Sequence, residues 1–306
     1  MLSTRCTSRV LAAAAVVCLS APPVLAGTHD DEPSEVPSTQ GEPAVMLAAG
    51  NIGQARTTVN GLCVPANNAG ATGAVLDANP TGIVQTLGDN VSPGDRLPSY
   101  TGCYDSTWGG EHFDRTHPAP GDDEYAEYEP GVPPPYEIYF GDKAGPPDRY
   151  FYSYDVEVDG TRAWHVIVLN SQCALRSEDT IHDVCLYDMV EFIERDLIAN
   201  AGATCTLAVN HHPRFSSSQA NPVQRQALLM QGVWQLLHDR GVDVMLSAHT
   251  RNYERFAPMD ALGRENPEGM RQFIVGTGGQ QPVARDTIPP VPHPNSKAQI
   301  RNTFGS

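Results

Sequence analysis

Three stretches of the chain end an apolar run on residues that bind metals. TLAVN is followed by His211, His212 and Pro213, VMLSA by His249, and IVQTLG by Asp89. Imidazole and carboxylate groups are the usual ligands of divalent cations. Each stretch alone also has a plain reading, since a Gly-Asp step makes a turn and a His-His-Pro segment can be structural. Three coincidences at the same place after an apolar run argue more strongly for a site. Rival chemistries lack their signatures. The sequence has no Gly-x-Ser-x-Gly elbow and no phosphate loop ending in Gly-Lys-Ser/Thr, and GTGGQQ after Val275 lacks the last glycine of a dinucleotide fingerprint.

The elements that must position these residues are short and apolar. AVMLAAG ends at Asn51, HVIVL at Asn170 and QFIVG before Thr277, alongside the three runs above. Continuous apolar runs of this length predict strands buried on both faces. Helical spacing over 187–200 and 222–241, the second closed by Gly241, alternates with them and predicts an α/β fold. In such folds ligands gather beyond the carboxyl ends of the strands, where Asn51, Asp89, His211 and His249 fall.

Residues 1–26 combine arginines, an apolar stretch and Val24-Leu25-Ala26, which predicts an export signal cleaved after Ala26. Residues 27–43 are acidic and rich in Pro and Ser, a flexible leader, so that 44–306 forms one domain. The protein is then expected outside the cytoplasm, extracellular or periplasmic. No later stretch is apolar enough to span a membrane, and no membrane partner is expected. With 36 Asp plus Glu against 20 Lys plus Arg, nucleic acid is a poor partner. Cys173 with Cys185 and Cys63 with Cys103 are the expected disulfides. The proline-rich stretch 105–150 reads as a long surface loop. Nothing in the sequence selects an oligomeric state.

The ordered series AAGNIG, TLGDN, PGDDEY, YFGDKAGPPDRYFYSYD, WHVIVLNSQC, NHHPRFSSS, LSAHTRNYERFAP and QFIVGTGG resembles the calcineurin-like metallophosphoesterases, in particular the secreted group related to purple acid phosphatases. The resemblance runs from about residue 45 to 279. It implies two stacked β-sheets flanked by helices, a four-layer sandwich, with divalent metal (Mn, Zn, Fe or Mg, one or two per chain) at the strand ends. It also implies a small phosphorylated substrate or phosphate as partner. The metal-binding histidine of the NHHP motif is His211, and His212 is its neighbour toward substrate.

The same resemblance exposes departures. Asn51 replaces an aspartate ligand, Ser92 stands at a tyrosine ligand, and Arg251 replaces a histidine of the closing motif; all three fall on the first metal position. The second keeps Asp89, His211 and His249, with Asp122 in place of an asparagine. Arginine cannot bind a metal but can hold a phosphate by two parallel hydrogen bonds, its alternative being a surface position or an ion pair, with Glu254 as the candidate partner. Asp123 stands where the family has a catalytic histidine. The expected protein is therefore an exported phosphoric-ester hydrolase with one metal position retained and the other altered, or a weakened or inactive member that binds metal or phosphate. The family also continues past a segment like NSKAQIRNTFGS, so a trimmed final edge or a shortened reading frame is expected.

Overall fold

The computed structural model describes residues 10–13, 16–19, 45–59, 62–65, 68–94, 96–126, 129, 131–158, 160–175, 180–218, 221–281 and 292–300. Two sheets carry the domain. The first runs in the order β1 (Val10–Ala13), β2 (Val16–Leu19), β3 (Val45–Ala49), β6 (Ile83–Thr86) and β8 (Thr116–His117). The second runs β15 (Ser296–Ile300), β13 (Tyr253–Met259), β14 (Met270–Val275), β12 (Val244–Ser247), β11 (Cys205–Val209), β10 (Thr161–Val168) and β9 (Tyr152–Val158). A small ribbon of β5 (Leu62–Pro65), β4 (Gly53–Val59) and β7 (Val91–Ser92) lies beside them. The pairs β3/β6, β6/β8, β10/β11, β11/β12 and β12/β14 are parallel, so their carboxyl ends open on one side.

Burial on both faces explains the unbroken apolar runs. Successive residues of a strand point to opposite faces. In β11, Leu207 and Val209 join Leu47, Val84 and Phe273 in the layer between the sheets, while Ala208 joins Met245, Ile274 and Trp234 in the layer under the helices. That outer layer is capped by α4 (Thr180–Ala199) and α6 (Gln231–Asp239), with α5 (Asn221–Leu229) preceding α6. The single helix expected over 222–241 is thus two. The chain turns at Met230, with ψ −2°, and Met230 packs into the same apolar layer as Trp234. Gly241, at φ 80°, closes α6 as a left-handed cap should.

The stretch 105–150 is more ordered than a surface loop. It contains β8 and α2 (Pro135–Phe140), whose buried Phe140 packs with Tyr100, Tyr104 and Tyr136; prolines exclude long elements there, but aromatic packing orders short ones. The same stretch pins α1 (Ala69–Asp77), which buries Leu76, by a hydrogen bond from Trp108 Nε1 to Thr72 Oγ1 (2.9 Å). Cys173, in α3 (Ser171–Leu175), and Cys185 form the expected disulfide, and Cys103 and Cys205 are also disulfide-bonded. The leader 27–43, the side chain of Cys63 and residues 301–306 lie outside the described residues. So does the expected signal segment, except for β1 and β2, which extend the first sheet from the edge of β3. Among the described residues no helix is long and apolar enough to cross a membrane.

One buried ionic clamp ties α4 to the second sheet. His165 on β10 lies between Asp155 Oδ1 (2.7 Å) and Asp196 Oδ2 (2.6 Å), while Ser153 Oγ donates to Asp196 and Arg162 flanks Asp155. Burial disfavours the imidazolium, but the two carboxylates outweigh it and raise the pKa of His165 above its ordinary value. A histidine raised on folding adds stability in full below about pH 6.5, and that stability fades as pH climbs through the folded value. Replacing His165 by Leu should therefore cost on the order of 2 kcal/mol at pH 6 and less at pH 9, measured by urea unfolding. Equal losses at the two pH values would contradict the charged clamp.

Candidate metal centre

Every residue of the candidate site follows the carboxyl end of a strand: Asn51 after β3, Asp89 after β6, Asp122 and Asp123 after β8, Ser171 after β10, His211 and His212 after β11, His249 and Arg251 after β12. The turns that present them are sharp. Asn51 (φ 55°), Asp89 (φ 50°), His249 (φ 62°) and Arg251 (φ 50°) all occupy the left-handed region. That region costs a non-glycine residue about 1–2 kcal/mol. Four such residues at one set of strand ends are typical of a functional site held by the surrounding fold. Gly88 (φ 85°) belongs to the same turn, and a Cβ there would stand 2.5 Å from His211 Nδ1, so glycine is required for the imidazole to enter.

Asp122, His211, His212 and His249 each offer one ligand atom, and these atoms lie within 4.8 Å of one another. Asp122 Oδ1 is at the centre, 3.0 Å from His211 Nε2, 3.0 Å from His249 Nδ1 and 3.5 Å from His212 Nε2. The other nitrogen of each ring is taken. His211 Nδ1 donates to Leu87 O (2.7 Å), His249 Nε2 meets Gln226 Oε1 (2.9 Å), and His212 Nδ1 meets Ser171 Oγ (2.8 Å). Such outer bonds set the tautomer and aim the remaining lone pair inward. His212 Nε2 is buried without a hydrogen-bond partner. A buried polar atom left unpaired is costly, and here it faces a carboxylate and two imidazoles, a donor set that fits a divalent ion.

Electrostatics point the same way. Burial disfavours a proton on His211, but Asp89 and Asp122 outweigh it and raise its pKa well above the ordinary value. For Asp122, burial is outweighed by bonds from His211 and His249, and its pKa is lowered. The cluster thus draws positive charge to the atoms a cation would share. Burial first, then His249 and His211, keep His212 neutral by pushing its pKa well below the ordinary value.

Asp89 borders this cluster, with Oδ1 3.2 Å from His211 Nε2, and is heavily engaged. Its Oδ2 accepts from Asn51 Nδ2 (2.7 Å) and its Oδ1 from the Asp123 N–H (3.1 Å). Asn51 Oδ1 is buried without a partner. Arg251 adjoins it: a Cβ on Gly276 would lie 2.8 Å from Arg251 N and 3.0 Å from Asn51 Oδ1. Glu254 is not its partner, being buried and bound by Ser217 N (3.1 Å) and Gln299 Nε2 (2.7 Å). Arg251 has no ion pair among the described residues. Asp123, hydrogen-bonded to Ser92, is pushed up to about 7 by burial and by the charges of Asp89 and Glu124.

Three contributors escape the sequence reading. Ser171 and Gln226 orient histidines; a serine after the HVIVL run is a weak signal for the first, and nothing in α5 signals the second. Glu124 is the third. It is buried and accepts from the N–H groups of Gly121 (2.6 Å), Asn90 (2.8 Å) and Asp89 (3.0 Å) and from Tyr100 OH (3.0 Å), so it fastens the Asp89 turn to the Asp122 turn. Burial and the Asp89 charge raise its pKa to about 7. Replacement by Leu leaves those donors unpaired and should cost about 3–5 kcal/mol in urea unfolding. A cost under about 1 kcal/mol would mean that water or a neighbour takes over the role.

No family model and no curated protein matches the sequence. Solved structures do. A purple acid phosphatase, PPD1, from yellow lupin (Lupinus luteus) seeds superposes with a TM-score of 0.58 at 17% identity, covering 86% of this chain and 48% of that one. GAP50, the anchor in the inner membrane complex of Plasmodium, superposes with a TM-score of 0.57 at 16% identity, covering 84% of this chain and 78% of that one. The chain therefore has the purple acid phosphatase-like metallophosphoesterase fold, two stacked sheets flanked by helices, and it spans about half the length of the lupin protein.

Proposed function

We propose that the chain is an exported, metal-dependent phosphoric-ester hydrolase with one metal position retained and the other altered. The observation that carries the reading is the convergence of His211, His212 and His249 on Asp122 Oδ1, with His212 Nε2 buried and unpaired beside them. Asp122, His211 and His249 would hold the ion, with Asp89 and His212 at its border. Their imidazole-rich donors favour Zn, Fe or Mn over Mg, which prefers oxygen. An ion there supplies Lewis acidity toward a phosphoryl oxygen and acidifies water at neutral pH.

The remaining work falls to the chain's own groups. Arg251, whose backbone adjoins Asn51, would supply a fixed positive charge able to take two phosphoryl oxygens. His212, kept neutral and held by Ser171, can contact substrate or complete the ligand set. Asp123 holds the leaving-group side. Export is supported by the Cys173–Cys185 disulfide, which persists in oxidising compartments. Hydrolysis of a phosphomonoester or diester by protein loaded with Mn²⁺, Zn²⁺ or Fe, above a His249→Ala control, is the expected result, and none above that control would defeat the reading.

A second reading has its own support. Asn51 Nδ2 already donates to Asp89 Oδ2, so an amide and an arginine replace ligands on that side, which suits a protein that binds phosphate with weakened or no turnover. Calorimetric phosphate binding without hydrolysis would favour it.

A further inference from the structure

A cavity of about 350 Å³ lies behind α5, away from the histidine cluster. The helix is a shared wall: Gln226 reaches His249, whereas Val223, Ala227 and Leu228 line the cavity. Its polar lining is Arg214, Ser216, Ser218, Gln224 and His293, with one cation and no carboxylate. In a chain with net charge −16 that is unusual.

Arg214 is the reason to look further. Its guanidinium packs over the Phe215 ring at 4.6 Å, its Nε is buried without a hydrogen-bond partner, and it has no ion pair among the described residues. The carboxylate of Glu254, felt by His293, is consumed by Ser217 and Gln299. His293 Nδ1 accepts the Asn295 N–H (3.2 Å), which leaves Nε2 as the proton-bearing nitrogen of the neutral ring. A half-buried guanidinium gains most from an anion that restores its hydrogen bonds. Phe215, Val223 and Leu228 supply apolar walls, and the volume suits a small molecule.

We propose that this cavity is a second ligand site, separate from the metal centre, for a small organic anion. Arg214 takes the anionic head, and Phe215 and Leu228 flank an aromatic or short alkyl body. The test is calorimetry of benzenesulfonate on the full chain, with and without EDTA, beside Arg214→Gln and Leu228→Glu. Leu228 is 63% exposed, so its substitution leaves the fold intact and decides the matter if Arg214→Gln does not fold. Expected are saturable binding of one equivalent, unaffected by EDTA, a weakening of about tenfold or more in either variant, and no binding of the neutral benzyl alcohol. Absence of saturable benzenesulfonate binding would overturn the proposal, as would unchanged affinity in the variants. Binding lost on chelation would place the anion at the metal centre instead and overturn it equally.

Discussion

Replacing His211 by alanine should release the metal and abolish hydrolysis together. His211 is fully buried, its Nδ1 is committed to Leu87 O, and its Nε2 faces Asp122, Asp89 and His249, so no other side chain can take its place. If the ion supplies about 3–4 kcal/mol of transition-state stabilisation, kcat/KM falls by about 10²–10³-fold. Metal content and activity should fall in step across His211→Ala, His249→Ala and Asp122→Ala. A variant that loses its metal yet keeps full activity would separate the cluster from the chemistry. His212→Ala is the informative companion. Metal retained with raised KM would make His212 a substrate contact, whereas metal lost would make it a ligand.

The second large effect is a gain. Asn51→Asp combined with Arg251→His restores a carboxylate and an imidazole to the side where the proposed function has an altered metal position. The amide that donates to Asp89 Oδ2 is then gone, and that oxygen becomes free for a second cation. Bound metal should rise from about one to about two per chain, and hydrolysis should rise with it, because a pair of ions stabilises both the attacking and the leaving oxygen. The double change matters. Asn51→Asp alone places a new carboxylate against Asp89 with only Arg251 to balance it, and should be less stable than the double variant at neutral pH. Equal metal content in the parent and the double variant would mean that the first position is closed by more than these two residues.

The frame of this site is legible in the sequence because its ligands sit where apolar runs stop. The strands carry a few buried polar residues of their own, Gln85, His165 and Ser247 among them, but they are apolar overall, and the ligands stand just past Leu87, Val209 and Ala248 where the runs stop. Helix α4 begins at Thr180, seven residues ahead of the apolar spacing that announces it at 187, and the break at Met230 is invisible because Met fits a helix as readily as a turn. What stays hidden has a common cause. Glu124, Ser171 and Gln226 each act through a hydrogen bond to a residue at least 23 positions away, and a polar residue in a loop or on a helix gives no local sign of its distant partner. His212 can be placed near His211 but not aimed, since its direction depends on Ser171 across the strand ends. For Arg251 the sequence leaves a phosphate contact, a surface position or a pair with Glu254, and the engagement of Glu254 by Ser217 and Gln299 removes the last of these.

The central claim is that Asp122, His211 and His249 hold one cation. Its most direct test is metal content by mass spectrometry on protein purified from an export-competent host and dialysed against trace Zn²⁺, Mn²⁺ and Fe. The account predicts close to one ion per chain in the unaltered protein and none in Asp122→Ala. An unaltered protein that emerges free of metal would contradict it.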